Sequence, residues 1–213
     1  ALMLFAVYFI FCRTTGVKLL VVRAAPVALS RHDRVLLWGE FMHHMHYFTY
    51  CYVFWYLAPE LISPMIGLWF LVGWLAYFVT ELMWRETRQV FVPKIVAVGH
   101  LLVMVALLAM PNINSVGVLV AWFVTCVGGG TAYMLGNAGG RGPRERFEDA
   151  GHVCGVLAAA VIATVVGGRD NTATACVLGG AFLALATAIM FTTIALQTPG
   201  QNTKRIGEFD ESR

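Results

Sequence analysis

Apolar residues gather into seven blocks along the chain, at 1–12, 35–58, 64–83, 92–110, 116–135, 152–167 and 172–196, with short polar or charged breaks between them. A helix rises about 1.5 Å per residue, so a block of about 20 residues matches the roughly 30 Å hydrocarbon core of a bilayer. Inside lipid each segment must satisfy its own backbone N–H and C=O groups, and that requirement predicts helices throughout. The first block would reach only about 18 Å as a helix and reads as the tail of a longer span. The pattern therefore predicts an all-α, polytopic transmembrane helix bundle of six full spans plus a short first helix. Its divisions are a short helix and basic interfacial loop over 1–34, a six-span bundle over 35–197, and a polar tail over 198–213.

Composition agrees with this class. The chain is 59% hydrophobic and 13% charged, where a soluble domain carries about 25% charged residues. An integral, multi-pass membrane protein is expected, with the lipid bilayer as its first partner. Net charge is only +3 and the basic residues are scattered through loops, so nucleic acid is not an expected partner. Fourteen of the fifteen Lys and Arg residues fall in alternate breaks, with Arg169 alone on the other side, which is the bias that orients membrane proteins. It places the loop after the third block and the C-terminal tail on the same, inner face. The five cysteines lie singly within apolar blocks without C-x-x-C spacing, so neither disulfides nor a zinc site are expected.

The densest polar group inside a block is GEFMHHMHYFTYCYVFWYLAP. Helical spacing puts His43, His46, Tyr47 and Tyr50 on one face, and His44, Phe48, Cys51 and Trp55 on another. Ionisable residues within a span are costly and mark a pathway or a site by default. His43, His46, Tyr47 and Tyr50 are therefore candidates for lining a substrate cavity or relaying protons, and an interfacial cluster reaching headgroups is the competing account. His100, within the fourth block, and Glu81, at the inner edge of the third, complete the candidate set; Glu81 is also explained by the charges of WRETR beside it. Facing imidazoles at His46 and His100 would suit a bis-histidine haem. His152, at the start of the sixth block, reads as a solvated loop-boundary residue. Hydrolase, phosphate-loop and H-E-x-x-H motifs are lacking, so the expectation is no enzyme, no metal and no cofactor. Gly128 to Gly130, the Gly151 and Gly155 pair, and Gly179 with Gly180 thin the later blocks for close helix packing.

In the order of its spans, its basic loops and the runs IGLWFLVGWLAYFVTE, WRETRQ and VTCVGGGTAYMLG, the chain resembles the C-terminal half of a major facilitator superfamily transporter. Within the family's D-R-x-G-R-R signature register, Arg85 and Arg88 match while the Asp, the Gly and the last Arg do not. The resemblance implies half of a secondary transporter, its solute unknown, with a midplane cavity that needs a second half. The rest of a longer polypeptide, a second copy of the chain or other membrane subunits would supply that half. A noncatalytic subunit of a larger membrane complex, such as a respiratory one, and a haem-binding redox protein are the alternative expectations.

Overall fold

The computed structural model describes residues 31–51, 57, 71–76, 78–80, 82, 91–132 and 141–197. Among these the secondary structure is helical, with no strand. Five helices are α1 (Arg31–Tyr50), α2 (Val92–Ala109), α3 (Ser115–Gly130), α4 (Arg141–Val166) and α5 (Arg169–Gln197). A further helical stretch, Leu71–Thr80, represents the third block. The first block, the basic stretch up to residue 30 and the tail beyond 197 lie outside the described residues.

Six full spans are not what the described helices provide. Three are long and apolar enough to cross a membrane: Val92–Asn112, Glu145–Val166 and Arg169–Leu196. α1 is long enough at 20 residues, but four histidines, Arg31, Asp33, Arg34 and Glu40 lower its hydropathy. α3 is apolar but has 16 residues, about 24 Å, short of the hydrocarbon thickness. Two boundaries also move. α1 begins at Arg31, within the stretch read as interfacial, and α4 begins at Arg141, within the stretch read as a loop.

The connections follow from local chemistry. Between α2 and α3 a single 3-10 turn, Met110–Asn112, leads to Asn114, whose side chain accepts a hydrogen bond from Gly117 N–H at 2.8 Å and caps α3. α4 and α5 are joined by Gly167 and Gly168 at φ +65° and +74°, a left-handed conformation that only glycine adopts without strain. Threonines within the helices return their hydroxyls to the carbonyl four residues back, as at Thr49 to Met45 (2.8 Å), Thr125 to Ala121 (2.8 Å) and Thr187 to Leu183 (2.9 Å). Each of these hydroxyls is satisfied without water.

α1 packs between α4 and α5, α5 packs between α1 and α2, and α2 carries α3 on its far side. Glycines set the closest approaches. Gly151 and Gly155, one turn apart on α4, lie against the α1 backbone, where a Cβ would stand 2.6 Å from Phe41 O and 2.5 Å from Met45 O. Gly99 of α2 and Gly128 of α3 meet backbone to backbone in the same way. One apolar cluster, including Tyr50, Leu107, Met110, Val118 and Val177, fills one end of the bundle. A second, including Leu36, Val92, Val96, Phe191 and Ile194, fills the other. The outward faces are apolar as well: Val153, Leu157, Val161 and Val165 recur every fourth residue on the exposed side of α4. Such a stripe would be a liability in water and is ordinary against lipid.

Candidate metal centre

Between the two apolar clusters the interior turns polar. His43 and His46 project from one face of α1, three residues apart, and His100 projects from α2. The three imidazoles are buried, His46 and His100 completely so. His43 Nδ1 lies 3.1 Å from His100 Nε2 and 3.3 Å from His46 Nε2. Ring centroids are 5.1 to 5.2 Å apart for all three pairs, and every pair is edge-on. Three ring nitrogens on two helices thus converge on one point.

The surroundings hold that arrangement. The Val96 carbonyl, 2.8 Å from His100 Nδ1, can only accept, so Nδ1 carries the hydrogen and Nε2 presents its lone pair to the other two rings. Phe191 of α5 stacks on His100 at 6.5 Å and 24°. The Phe191 ring in turn fills the space where Gly39 of α1 lacks a side chain. Tyr50 stacks on His46 at 5.9 Å and 19°. Gly129 of α3 lies beside His43, where a Cβ would stand 3.4 Å from His43 Cε1, an ordinary contact.

Hydrogen bonds alone do not satisfy the three rings. One nitrogen cannot donate and accept at once. If His43 Nδ1 carries its hydrogen, it points at the lone pairs of His100 and His46. His46 must then hold its hydrogen on Nδ1, which is buried and has no hydrogen-bond partner among the described residues. If His43 Nδ1 is bare, it faces the lone pair of His100 at 3.1 Å. Either assignment leaves a cost of about 1–3 kcal/mol for an unmet buried group. A cation bound by all three lone pairs removes the conflict at the shared point. Nitrogens bound at about 2.1 Å to one ion stand about 3.0 Å apart in an octahedron and about 3.4 Å apart in a tetrahedron. The observed 3.1 and 3.3 Å fall between these limits.

On the adjoining face of α1, His44 points toward α4. Its Nε2 is 3.2 Å from Glu148 Oε1 and 3.7 Å from Glu40 Oε2, and its Nδ1 is 2.8 Å from His152 Nε2. His152 also packs on Phe48, ring centroids 4.2 Å apart. Sequence reasoning missed most of this group. His152 is not a solvated boundary residue: α4 starts eleven residues earlier, at Arg141, and carries it half-buried against α1. Glu148 was concealed in what read as a basic loop. The available signal was the stripe Glu148, Gly151, His152 and Gly155, which shares one helix face at spacings of three and four.

Of the residues singled out from the sequence, His43, His46, His100 and Tyr50 come together. Tyr47 is half-buried and lies to one side, against Tyr50 at 5.9 Å and Trp122 at 6.2 Å. Glu81, Arg85 and Arg88 lie outside the described residues. No family model matches the chain, and neither a curated protein nor a solved structure is significantly similar to it.

Proposed function

We propose that this chain is an integral membrane protein that binds a divalent first-row transition-metal ion through His43, His46 and His100. The convergence of three buried imidazole nitrogens at 3.1 and 3.3 Å carries the reading. Neutral imidazole suits zinc, copper, iron or nickel. This departs from the sequence-based expectation of no metal, which rested on cysteine spacing and on motif searches. Those searches cannot register a donor set drawn from two helices 57 residues apart.

Depth supports a role within the membrane. His100 lies two residues from the middle of Val92–Asn112, about 3 Å along the helix. An ion held there is deep in the bilayer, where an unneutralised charge is expensive. In keeping with the resemblance to a transporter half, we assign the ion as cargo. A partner, either a second copy or another membrane subunit, completes the path, and the chain contributes its share of six spans to the whole. A haem is the weaker reading. The His46 and His100 ring centroids are 5.2 Å apart and edge-on, with His43 equally close to both, which leaves no room for a porphyrin plane between the two imidazoles.

The test is metal binding by the purified protein in lipid nanodiscs, followed by ion uptake into proteoliposomes. Stoichiometric Zn²⁺ or Co²⁺, lost on His100→Ala, is the expected result. An unchanged metal content in that variant overturns the site. Retained binding without uptake removes the cargo assignment and favours a resident centre in a larger complex.

A further inference from the structure

We infer that Glu40, His44 and Glu148 form a second divalent-cation site, oriented by His152 and distinct from the imidazole triad. One ligand atom from each of the three lies within 4.8 Å of the others. The donors are two carboxylate oxygens and one imidazole nitrogen, a harder set than three imidazoles and one suited to Zn²⁺, Mn²⁺, Fe²⁺ or Co²⁺.

Charge is the first argument. The Glu40 side chain is 1% exposed and the His44 side chain 7%. Both carboxylates lie within 4 Å of the same imidazole nitrogen. Two carboxylates in a mostly dry seam are a heavy electrostatic burden. A divalent ion held by both carboxylates and by neutral His44 places two positive charges at the point where the two carboxylates approach each other.

Orientation is the second. A metal-ligating histidine ordinarily donates its other ring N–H to a fixed acceptor. His44 has that arrangement ready: Nε2 faces the carboxylates, and Nδ1 faces His152 Nε2 at 2.8 Å. With an ion on Nε2, His44 Nδ1–H donates to His152. Phe48 packs on His152, and the Gly151 and Gly155 contacts fix the distance between α4 and α1. The geometry is therefore set by backbone packing as well as by polar contacts.

Access is the third. The Glu148 side chain is 24% exposed, whereas Glu40, His43, His44 and His46 are all buried. The mixed set thus reaches the surface through Glu148, and the triad has no exposed member. His43 and His44 are consecutive residues with ring centroids 4.9 Å apart, so the sites adjoin without sharing a ligand.

The experiment is Co²⁺ titration of the full chain in nanodiscs, read by visible absorption and by metal content after desalting. Glu148→Gln, His44→Asn and His46→Phe are compared, with helix content and elution volume checked for each. Two Co²⁺ per chain are expected in the parent protein. Glu148→Gln should weaken one of them at least ten-fold and His44→Asn should remove it, both leaving the other spectrum in place. His46→Phe should remove only the other. One Co²⁺ that survives Glu148→Gln and His44→Asn overturns the second site and leaves the triad standing. One Co²⁺ lost in His44→Asn but kept in His46→Phe does the reverse. A single ion lost in all three variants shows one shared centre and overturns the two-site assignment, as does an absence of binding. Should His44→Asn fail to fold, the milder Glu148→Gln decides alone, because its carboxamide keeps the size and polarity of the half-exposed carboxylate.

Discussion

The two polar clusters start from the same turn of α1 and end as different chemistry. His43 and His46 turn inward to α2 and meet His100 in a seam sealed by Phe191 and Tyr50. His44, one residue along, turns outward to α4 and meets Glu148 and His152 in a seam that remains partly open. A rotation of about 100° per residue around one helix separates an all-nitrogen, closed site from a mixed, accessible one. Donor identity here is decided by which neighbouring helix a residue faces.

The sharpest way to break this contrast is His46→Phe. Removing one of three ligands from the closed site should weaken its ion by at least a hundred-fold. Glu148 and His44 would be untouched, and isothermal titration with Co²⁺ would show whether one binding phase vanishes or both. Phe191→Ala attacks the seal instead of the ligands. It should cost about 3 kcal/mol of stability by opening a cavity in the core, read by thermal unfolding in detergent. It should also weaken the closed site about ten-fold by releasing the His100 ring.

Gly151→Leu tests the other seam. The new side chain meets the α1 backbone at Phe41, so α4 must move away and His152 with it. A loss of about 2 kcal/mol is expected from overpacking, together with loss of the mixed site and retention of the triad. Cross-linking between cysteines placed at positions 38 and 147, whose native rings lie 5.6 Å apart across the same seam, would report the separation. Asn114→Ala is the smallest perturbation. It removes the α3 cap at the far end of the bundle and should cost about 1 kcal/mol, with both metal signals unaltered in the same Co²⁺ titration.

Much of the helix layout was legible because apolar length is a strong signal. The blocks at 92–110 and 172–196 correspond closely to Val92–Asn112 and Arg169–Leu196. α1 was harder to read, since its histidines suggested a polar stripe but not where their nitrogens would meet. Periodicity assigns residues to faces of one helix and says nothing about which helix lies opposite. His43 and His100 are 57 residues apart, and their meeting depends on how α5, packed against both α1 and α2, sets those two helices relative to each other. The mixed cluster was concealed for a different reason. Charged residues in RERFEDAG resemble a loop, yet they continue α4 by eleven residues beyond the apolar block. A helix emerging from its apolar stretch keeps its geometry while its composition changes, and hydropathy follows the composition.

The turn at Gly167 and Gly168 has a mechanical consequence for the outer seam. It joins α4 to α5 through two residues with left-handed backbone. Glu148 stands nineteen residues along α4 from Gly167, a lever arm of about 28 Å. A tilt of α4 by about 5° about that pivot would carry Glu148 through roughly 2.5 Å, and the Gly151 and Gly155 contacts with α1 oppose it. The same tilt leaves His43, His46 and His100 in register, because none of them rides on the arm. With so long an arm from the turn, it is the close glycine contacts with α1 that hold Glu148 beside His44.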